Sequence, residues 1–570
     1  MSLVAILCGL ALFFGLIFGL GLPWVVTSRL EAPEKLALGA GAGLAQICGF
    51  AWIIYLTGLP NVTFFTLPGL AALAIGIRSR ALAGLLSDPD VRGLGARQLL
   101  FAAWCLGWLA LVRSYGGGEW AGDWYEHYER VRFFLDRQPL NTLFTDGYSL
   151  PARPPLANLV VGACMAIRRT DFAHFQLFTT LFSTLVFLPA ALLGRHFARG
   201  RGGVDAVLLL MLMLNPAVVQ NATFAWTKLP AAFFVLLAVA FYARGLTEAG
   251  SMRRTIAIGA LAAALLTHYS AGPYAIILVG AQFALAWSRR QKRSLWRELG
   301  LHAGMGLMLL APWVAWSLVN YGIPGTFLSS TATPGATTPS TVSWLALRAR
   351  NAYVTLVPHP LRPADYRFIA QTSTLGYARD YLFNIYQTTL PGIFGLAGLV
   401  LLAWRAIHRR SPAEHAGERY FWRWFFVGAI TLGIAAAYQP DRWGVAHLCL
   451  LPVAIAGLAW LAASLREMPA LIRRLWTGAL LADAVLGIVG HFYLQATAQV
   501  APVTLFELTR GKILVLSQVA TKNMLLKQFM NCTFVADGGP APALVFALLA
   551  MLVTLAVWQA FGVRHSNLPP

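Results

Sequence analysis

The sequence predicts an all-α polytopic membrane protein, and three features make that prediction. Apolar runs of about 20 residues recur from one end to the other, the length at which a helix crosses a hydrocarbon layer of ~30 Å. Of the 570 residues, 58% are hydrophobic and only 12% are charged, with a mean hydropathy of +0.63. A soluble chain of that length would carry amphipathic segments under a charged surface. The short alternating strands of a transmembrane barrel are absent.

In chain order, the opening stretch MSLVAILCGLALFFGLIFGL has no basic n-region and no obvious cleavage site, so a retained first span is expected at 4–26. Spans at 36–58 and 62–78 follow over short connections. A basic loop then leads to a span at 98–114, which feeds directly into GDWYEHYERVRFFL (122–135). Long apolar stretches place further spans at 172–194, 204–222, 227–244, 254–267, 271–288 and 301–320. The stretch 254–288 also reads as one kinked element. After a long loop come 389–405, 421–438, 444–464 and 475–493, and finally 541–561. This gives about fifteen crossings.

Arginine and lysine set the orientation. The loops 78–97, 195–201, 243–254, 288–297, 405–410 and 466–474 are short, basic and on one side of this map, which is therefore cytoplasmic. The N-terminus is then outside and the C-terminus inside. The long loops 115–171, 321–388 and 494–540 all fall on the outer face, rich in tryptophan, tyrosine and proline, where function is expected. The chain divides into three extra N-terminal helices (1–97), a core (98–493), and an outer loop with a last helix (494–570). The Ala/Arg/Leu-rich composition points to a bacterial inner membrane.

The net charge of +21 is this topology signal, and no nucleic-acid partner is expected from it. The cysteines (Cys8, Cys48, Cys105, Cys164, Cys449 and Cys532) show no metal-ligand spacing. Sequons at Asn61, Asn221 and Asn531 map to the outer side, the first two almost within the membrane.

Read as a helix, 123–135 puts Trp124, Tyr128, Val131 and Leu135 on one stripe and Asp123, Glu126, His127 and Arg130 opposite. Glu126 and Arg130 are four apart and can pair. Such a helix is expected in the interface plane, with Asp123 at its first residue or N-cap. Next, Arg153 precedes two prolines that force an extended entry into 156–167. That stretch is too short to span and is expected to dip into the outer leaflet, with Arg153 at headgroup depth to hold a lipid phosphate. Lys228, His268 and Tyr269 sit at span ends on the same face, as do Asp441, Arg442 and His447. Several cations and one prominent acid thus converge on one face. Asp483 lies mid-span and is expected to pair within the bundle.

An acid opening a juxtamembrane helix, then about thirty residues, then a basic residue before Pro-Pro-Leu resembles the ArnT/protein-mannosyltransferase group of GT-C glycosyltransferases (the family 39/83 type). Here those residues are Asp123, Arg153, Pro154, Pro155 and Leu156. LLTHYSAGPYAI (265–276) is similar to the group's span-end segment carrying a basic residue and glycine. WGVAHLCLLPVAIAGLAWL (443–461) resembles its late span, with a histidine shortly before Leu-Pro. The likeness runs over roughly 98–490. It implies a GT-C-like bundle, Asp123 as catalytic acid/base, and Arg153 as ligand to the phosphate of a polyprenyl-phosphate sugar donor. His268 stands where the group often has lysine or arginine, and a histidine there would be partly charged at neutral pH.

Sugar transfer to a hydroxyl or amine needs a carboxylate to take the acceptor proton and cations to stabilise the departing phosphate. Glu119, Glu126 and Asp146 are candidates for a second acid, with Glu126 pointing alongside Asp123. Lys228, His268, Tyr269, Arg442 and His447 are the further substrate-binding candidates. Paired acids permit a divalent cation, and no ligand set demands one. A single displacement inverts the anomeric centre. Expected partners are the donor, a lipid, glycan or protein acceptor, and membrane lipids. A transporter or flippase of lipid-linked saccharides, or a lipid-linked glycan ligase or polymerase, are the rival readings; no internal repeat supports the transporter.

Overall fold

A computed structural model describes residues 2–112, 123–144, 148–199, 202–247, 250–288, 292–329, 346, 348–349, 352–353, 374–388, 416–435, 449–497 and 542–561. In chain order the helices used below are α1 (Leu3–Val25), α2 (Ala32–Thr57), α3 (Thr66–Ile77), α4 (Ser79–Ser87), α5 (Pro89–Leu111), α6 (Asp123–Asp136), α7 (Leu156–Ile167), α8 (Phe172–Thr184) and α9 (Phe187–Ala198). They continue as α10 (Val204–Met213), α11 (Pro216–Thr223), α12 (Lys228–Thr247), α13 (Ser251–Thr267), α14 (Gly272–Ser288) and α15 (Lys292–Phe327). The last are α16 (Thr374–Thr388), α17 (Ala416–Ala435), α18 (Leu451–Ser464), α19 (Ala470–Ala484), α20 (His491–Thr497) and α21 (Pro542–Phe561).

The chain is a multi-pass helical membrane protein. Among the described residues, 8 helices are long and apolar enough to cross a bilayer, or up to 10 if each of two bent pairs is one span. The span expected at 389–405 lies outside the described residues. The centre of the bundle is α8 with α9, and α12, which are buried on nearly every side, α8 carrying several polar residues with it. Outer helices keep one face bare: Leu307, Met308 and Val319 on α15, and Leu544, Met551 and Trp558 on α21. Lipid tails would cover such faces.

The N-terminal helices pack into this body. α1 and α2 cross so closely that a methyl group at Gly21 or Gly43 would run into the carbonyl of Gly39 or Ile17. Gly9 lies against Leu177 and Phe178 of α8, and Gly41 against Phe233 and Leu237 of α12.

Several expected spans are interrupted. The stretch 204–222 breaks by 69° between α10 and α11. Pro216 cannot continue a helix from Met213, and Asn215 caps the new one, its Oδ1 accepting the Val218 N–H at 3.1 Å. The carbonyl of Met213, freed by the break, accepts the Trp104 indole N–H at 2.8 Å. The stretch 62–78 turns by 83° into α4. The stretch 254–288 is two helices, broken at His268 and a 3-10 turn, Tyr269–Ala271. α15 runs past the expected end of its span to Phe327, turning at Gly322, whose φ of 65° glycine tolerates. α16 adds a helix within the second outer loop. A π-helical turn, Val485–Gly490, joins α19 to α20, and beside it the Tyr386 hydroxyl donates to the buried Asp483 at 3.1 Å, the pairing expected for that acid.

The stretch 156–167 does not lie open to a leaflet. α7 is buried from Leu156 to Met165 beneath α6, with α2 and α8 on its other sides. It is apolar apart from Asn158, and protein covers it. The sequons are equally enclosed: the Asn61 amide donates to the Leu135 carbonyl, and buried Asn221 bonds the Ala217 carbonyl.

Contacts between helix ends sort as the basic loops do. At one end Glu34 meets Arg244 and Arg253, Arg195 meets Asp90 and Asp205, and Arg254 meets Glu298. At the other, Asn61 bonds Leu135, Tyr321 bonds Leu140, and Tyr269 bonds Pro151. The candidate site lies at this second end.

Candidate active site

The segment DWYEHYERVRFFLD is helical from Asp123 to Asp136. Asp123 opens it; its side chain is outside the described set. The polar and apolar faces expected from the sequence are both buried: Glu126, His127 and Arg130 as well as Tyr128, Val131 and Leu135. The polar face therefore turns into the protein and not towards water. It can do so because its charges are paired.

Arg130 is the clamp. Its Nε donates to Glu126 Oε1 at 2.7 Å, the i,i+4 pair read from the sequence, and its Nη1 donates to the Leu150 carbonyl at 2.8 Å and the Ser149 carbonyl at 3.2 Å. The guanidinium lies 4.2 Å from the centre of the Phe144 ring. One side chain thus fastens the loop 148–152 to α6. The 3-10 turn Leu150–Ala152 then delivers Arg153 in an extended conformation before the two prolines.

Arg153 meets the same carboxylate less closely: Nε is 3.4 Å from Glu126 Oε1, and Nη2 is 3.5 Å from Oε2. Arg130 is fully buried, whereas Arg153 keeps 14% of its side chain exposed. Of the two arginines on Glu126, Arg153 is the one that can reach a ligand. His127 lies beside them, Nδ1 3.3 Å from Asn158 Oδ1 of α7. Burial pushes His127 down to about 4; the charges of Arg153 and Arg130 act in the same direction and Glu126 against it.

Three further candidates arrive from other helices. Lys228 is the buried first residue of α12, with Nζ 2.8 Å from the centre of the Trp226 ring. The short connection before it contains Ala225 at φ 57°, a left-handed conformation that costs a non-glycine residue on the order of 1 kcal/mol. Tyr269 donates its hydroxyl to the Pro151 carbonyl at 3.1 Å, joining the start of α14 to the loop that carries Arg153. His268, at the end of α13, is buried within range of the charges of Arg153, Lys228 and Glu126.

His268 departs from expectation in one respect. Its Nδ1 accepts the backbone N–H of Ser270 at 3.0 Å, which commits that lone pair. Burial, then the charges of Arg153 and Lys228, hold its pKa well below the ordinary histidine range. Both features favour the neutral imidazole over the partly charged group expected.

Glu126, Arg153, Lys228, His268 and Tyr269 are therefore brought together. Arg442 and His447, with Glu119 and Asp146, lie outside the described residues. The described chain resumes at Cys449, close enough to Lys228 to feel its charge; the Cys449 carbonyl accepts the Tyr274 hydroxyl at 2.5 Å. Sequence reasoning missed the Arg130 clamp on the 148–152 loop, Asn158 and Trp226. Trp226, two residues before Lys228, was legible as an aromatic, but no pattern in the sequence ties it to the lysine. Among the described residues no group of three or more His, Cys, Asp or Glu is placed to hold a metal ion.

Chemically, among the described side chains, Arg130, Arg153 and Lys228 set three positive charges against Glu126. The excess suits an anion with more than one charge, and the partly buried setting strengthens its hold.

No family model matches the chain, and no curated protein sequence matches it. Solved structures do. The chain is similar to ArnT from Cupriavidus metallidurans bound to undecaprenyl phosphate, at 15% identity and a TM-score of 0.46, over 83% of this chain and 77% of that one. The apo state of the same protein matches at 16% identity and a TM-score of 0.46, over 82% of this chain and 76% of that one. These belong to the group that the sequence motifs resemble. At this identity and TM-score the likeness fixes no residue's role.

Proposed function

We propose that the chain is an integral-membrane glycosyltransferase that moves a sugar from a polyprenyl-phosphate donor to an acceptor hydroxyl or amine. One observation carries the reading. A partly exposed arginine (Arg153), 3.4 Å from Glu126, and a buried lysine (Lys228) converge beside the helix that Asp123 opens, at the end of the bundle away from the basic loops.

The acceptor oxygen or nitrogen attacks the anomeric carbon and forms the new glycosidic bond. The bond from that carbon to the phosphate oxygen breaks, its electron pair leaving with the phosphate. The acceptor proton passes to the Asp123 carboxylate. The phosphate goes from one negative charge to two as it leaves, and Arg153 and Lys228 stabilise the added charge. Glu126, expected as a second acid, fits a positioning role better: a carboxylate between two guanidiniums is a poor proton acceptor and a good brace for Arg153. A single displacement inverts the sugar. The site then faces the outside of a bacterial inner membrane, opposite the basic loops.

The break between α10 and α11 is the feature a transporter reading could use. Two of its freed backbone groups are taken up within the protein, the Met213 carbonyl by Trp104 and the Val218 amide by Asn215.

The test is transfer by the purified, reconstituted protein from a panel of radiolabelled polyprenyl-phosphate sugars to membrane-lipid extract. Wild type should transfer and Asp123→Asn should fall by about 10²–10⁴-fold while still binding donor. Equal transfer by both removes Asp123 from the chemistry. Binding of no donor by either sinks the reading and moves a carrier function forward.

A further inference from the structure

A cavity of about 260 Å³ lies at the opposite end of the molecule, the end of the basic loops, among the ends of α9, α10, α18, α19 and α21. Its floor is apolar and buried, made by Ala198, Val207, Ala463, Leu465 and Ala560. The rim is exposed and of another character. Gly202 and Gly203 lead into α10, whose N-terminus has no side-chain cap, and a methyl group at Gly202 would meet nothing within 4 Å. Phe561 both lines the cavity and is exposed beside Trp558 on the bare face of α21, so the cavity borders lipid. Arg473 stands on the remaining side. Its side chain makes no ion pair or hydrogen bond with any described residue. It is the fourth residue of α19, where a cation opposes the helix dipole and adds nothing to that helix. The nearby Arg195 differs, because Asp90 and Asp205 hold it.

We propose that this cavity binds an anionic phospholipid of the leaflet at the basic end, with the lipid phosphate on Arg473 and the Gly202 and Gly203 backbone and the start of an acyl chain on the apolar floor. Charge and lining each argue for it. A free anion has no use for a floor of alanine, valine and leucine. A neutral lipid would leave Arg473 without a counter-ion. Arginine suits a phosphate, which it can hold through two N–H groups at once. A basic pocket between helix ends, at the depth of the headgroups, is where a lipid phosphate lies. The volume admits a headgroup and the first part of one chain, and the rest of the lipid would continue along α21 into the bilayer. Such a lipid ties together the ends of α10, α18, α19 and α21. The site is remote from Arg153 and needs no sugar donor, so it holds whether or not the chain transfers sugar.

The experiment titrates the purified, delipidated full chain in neutral detergent with dioleoyl phosphatidylglycerol while thermal unfolding is followed. Phosphatidylcholine with the same chains and inorganic phosphate serve as comparisons. Phosphatidylglycerol should raise the unfolding midpoint by about 2 °C or more, and the comparisons should not. Arg473→Gln should weaken the apparent affinity about tenfold. Ala463→Leu, which fills the floor and changes no charge, should weaken it as well. Arg80→Gln, at an exposed arginine of the same end that does not line the cavity, should bind as wild type does. Equal stabilisation by phosphatidylcholine or by inorganic phosphate overturns the proposal. So does wild-type affinity in Arg473→Gln, or an equal loss in Arg473→Gln and Arg80→Gln, which would mean a diffuse attraction to the basic loops. Should Ala463→Leu fail to fold, the two arginine variants decide, since both side chains are exposed. Deleting residues 562–570, which follow Phe561 at the rim, should leave the shift in place. Binding that appears only after that deletion makes the segment the occupant and overturns a lipid site in the full chain.

Discussion

The two ends of the bundle use the same residue types for opposite purposes. At the basic end, arginines hold acids at short range: Arg244 and Arg253 reach the fully buried Glu34 at 3.1 and 2.9 Å, Arg195 reaches Asp205 at 2.5 Å, and Arg254 reaches Glu298 at 2.6 Å. At the site end Arg130 lies 2.7 Å from Glu126, while Arg153 approaches the same carboxylate at 3.4 Å. A tight buried pair has lost its water and has nothing left to offer. A long, partly exposed contact can be exchanged for a ligand at little cost. Distance to the shared carboxylate, more than residue type or exposure, sets Arg153 apart from the arginines of the basic end.

The sharpest way to break this comparison is at the basic end. Glu34→Ala should destabilise the protein by about 3–5 kcal/mol, because Arg253 and Arg244 lose their buried counter-ion. Thermal unfolding in detergent measures it, and transfer per folded molecule should be unchanged. Arg153→Ala should do the reverse: transfer falls by about 10²–10³-fold with the unfolding midpoint little moved. If Arg153→Ala unfolds the protein and spares transfer, the distinction drawn here is wrong.

Low pH should discriminate next. His127 has its pKa pushed from 6.5 to about 4 by burial. The unfolded chain therefore binds the proton first as pH drops. Stability from this group is complete above pH 6.5 and is lost as pH falls towards 4, by about 3 kcal/mol at most. Unfolding midpoints across that window should decline in wild type and decline less in His127→Gln. The smallest effect belongs to Arg132 and Asp136, an exposed pair 2.7 Å apart on α6. Asp136→Asn should change stability by about 0.5 kcal/mol or less, showing that a short distance counts only when water is excluded.

The fold class was legible because a bilayer demands long apolar runs, and the arginines of the described basic loops do gather at one end of the bundle. The span count was not, since apolar length alone does not separate a crossing from a buried helix such as α7 or a broken one such as α10 with α11. In the site, Glu126 and Arg130 could be paired from their spacing. What Arg130 does to Ser149, Leu150 and Phe144 could not, because those contacts come from an irregular loop without period. The hydrogen bond at His268 was out of reach for a similar reason: it comes from an amide two residues on, Ser270, and that depends on a turn.

The Asn61 amide on the Leu135 carbonyl, with Arg137 donating to the Leu59 carbonyl, fastens the far end of α6 to residues that precede the core. The first 97 residues are therefore not a detachable module. A gene split at that point would have to supply both fragments together to recover transfer. A chimera that kept only the downstream portion would leave the helix bearing Asp123 anchored at one end.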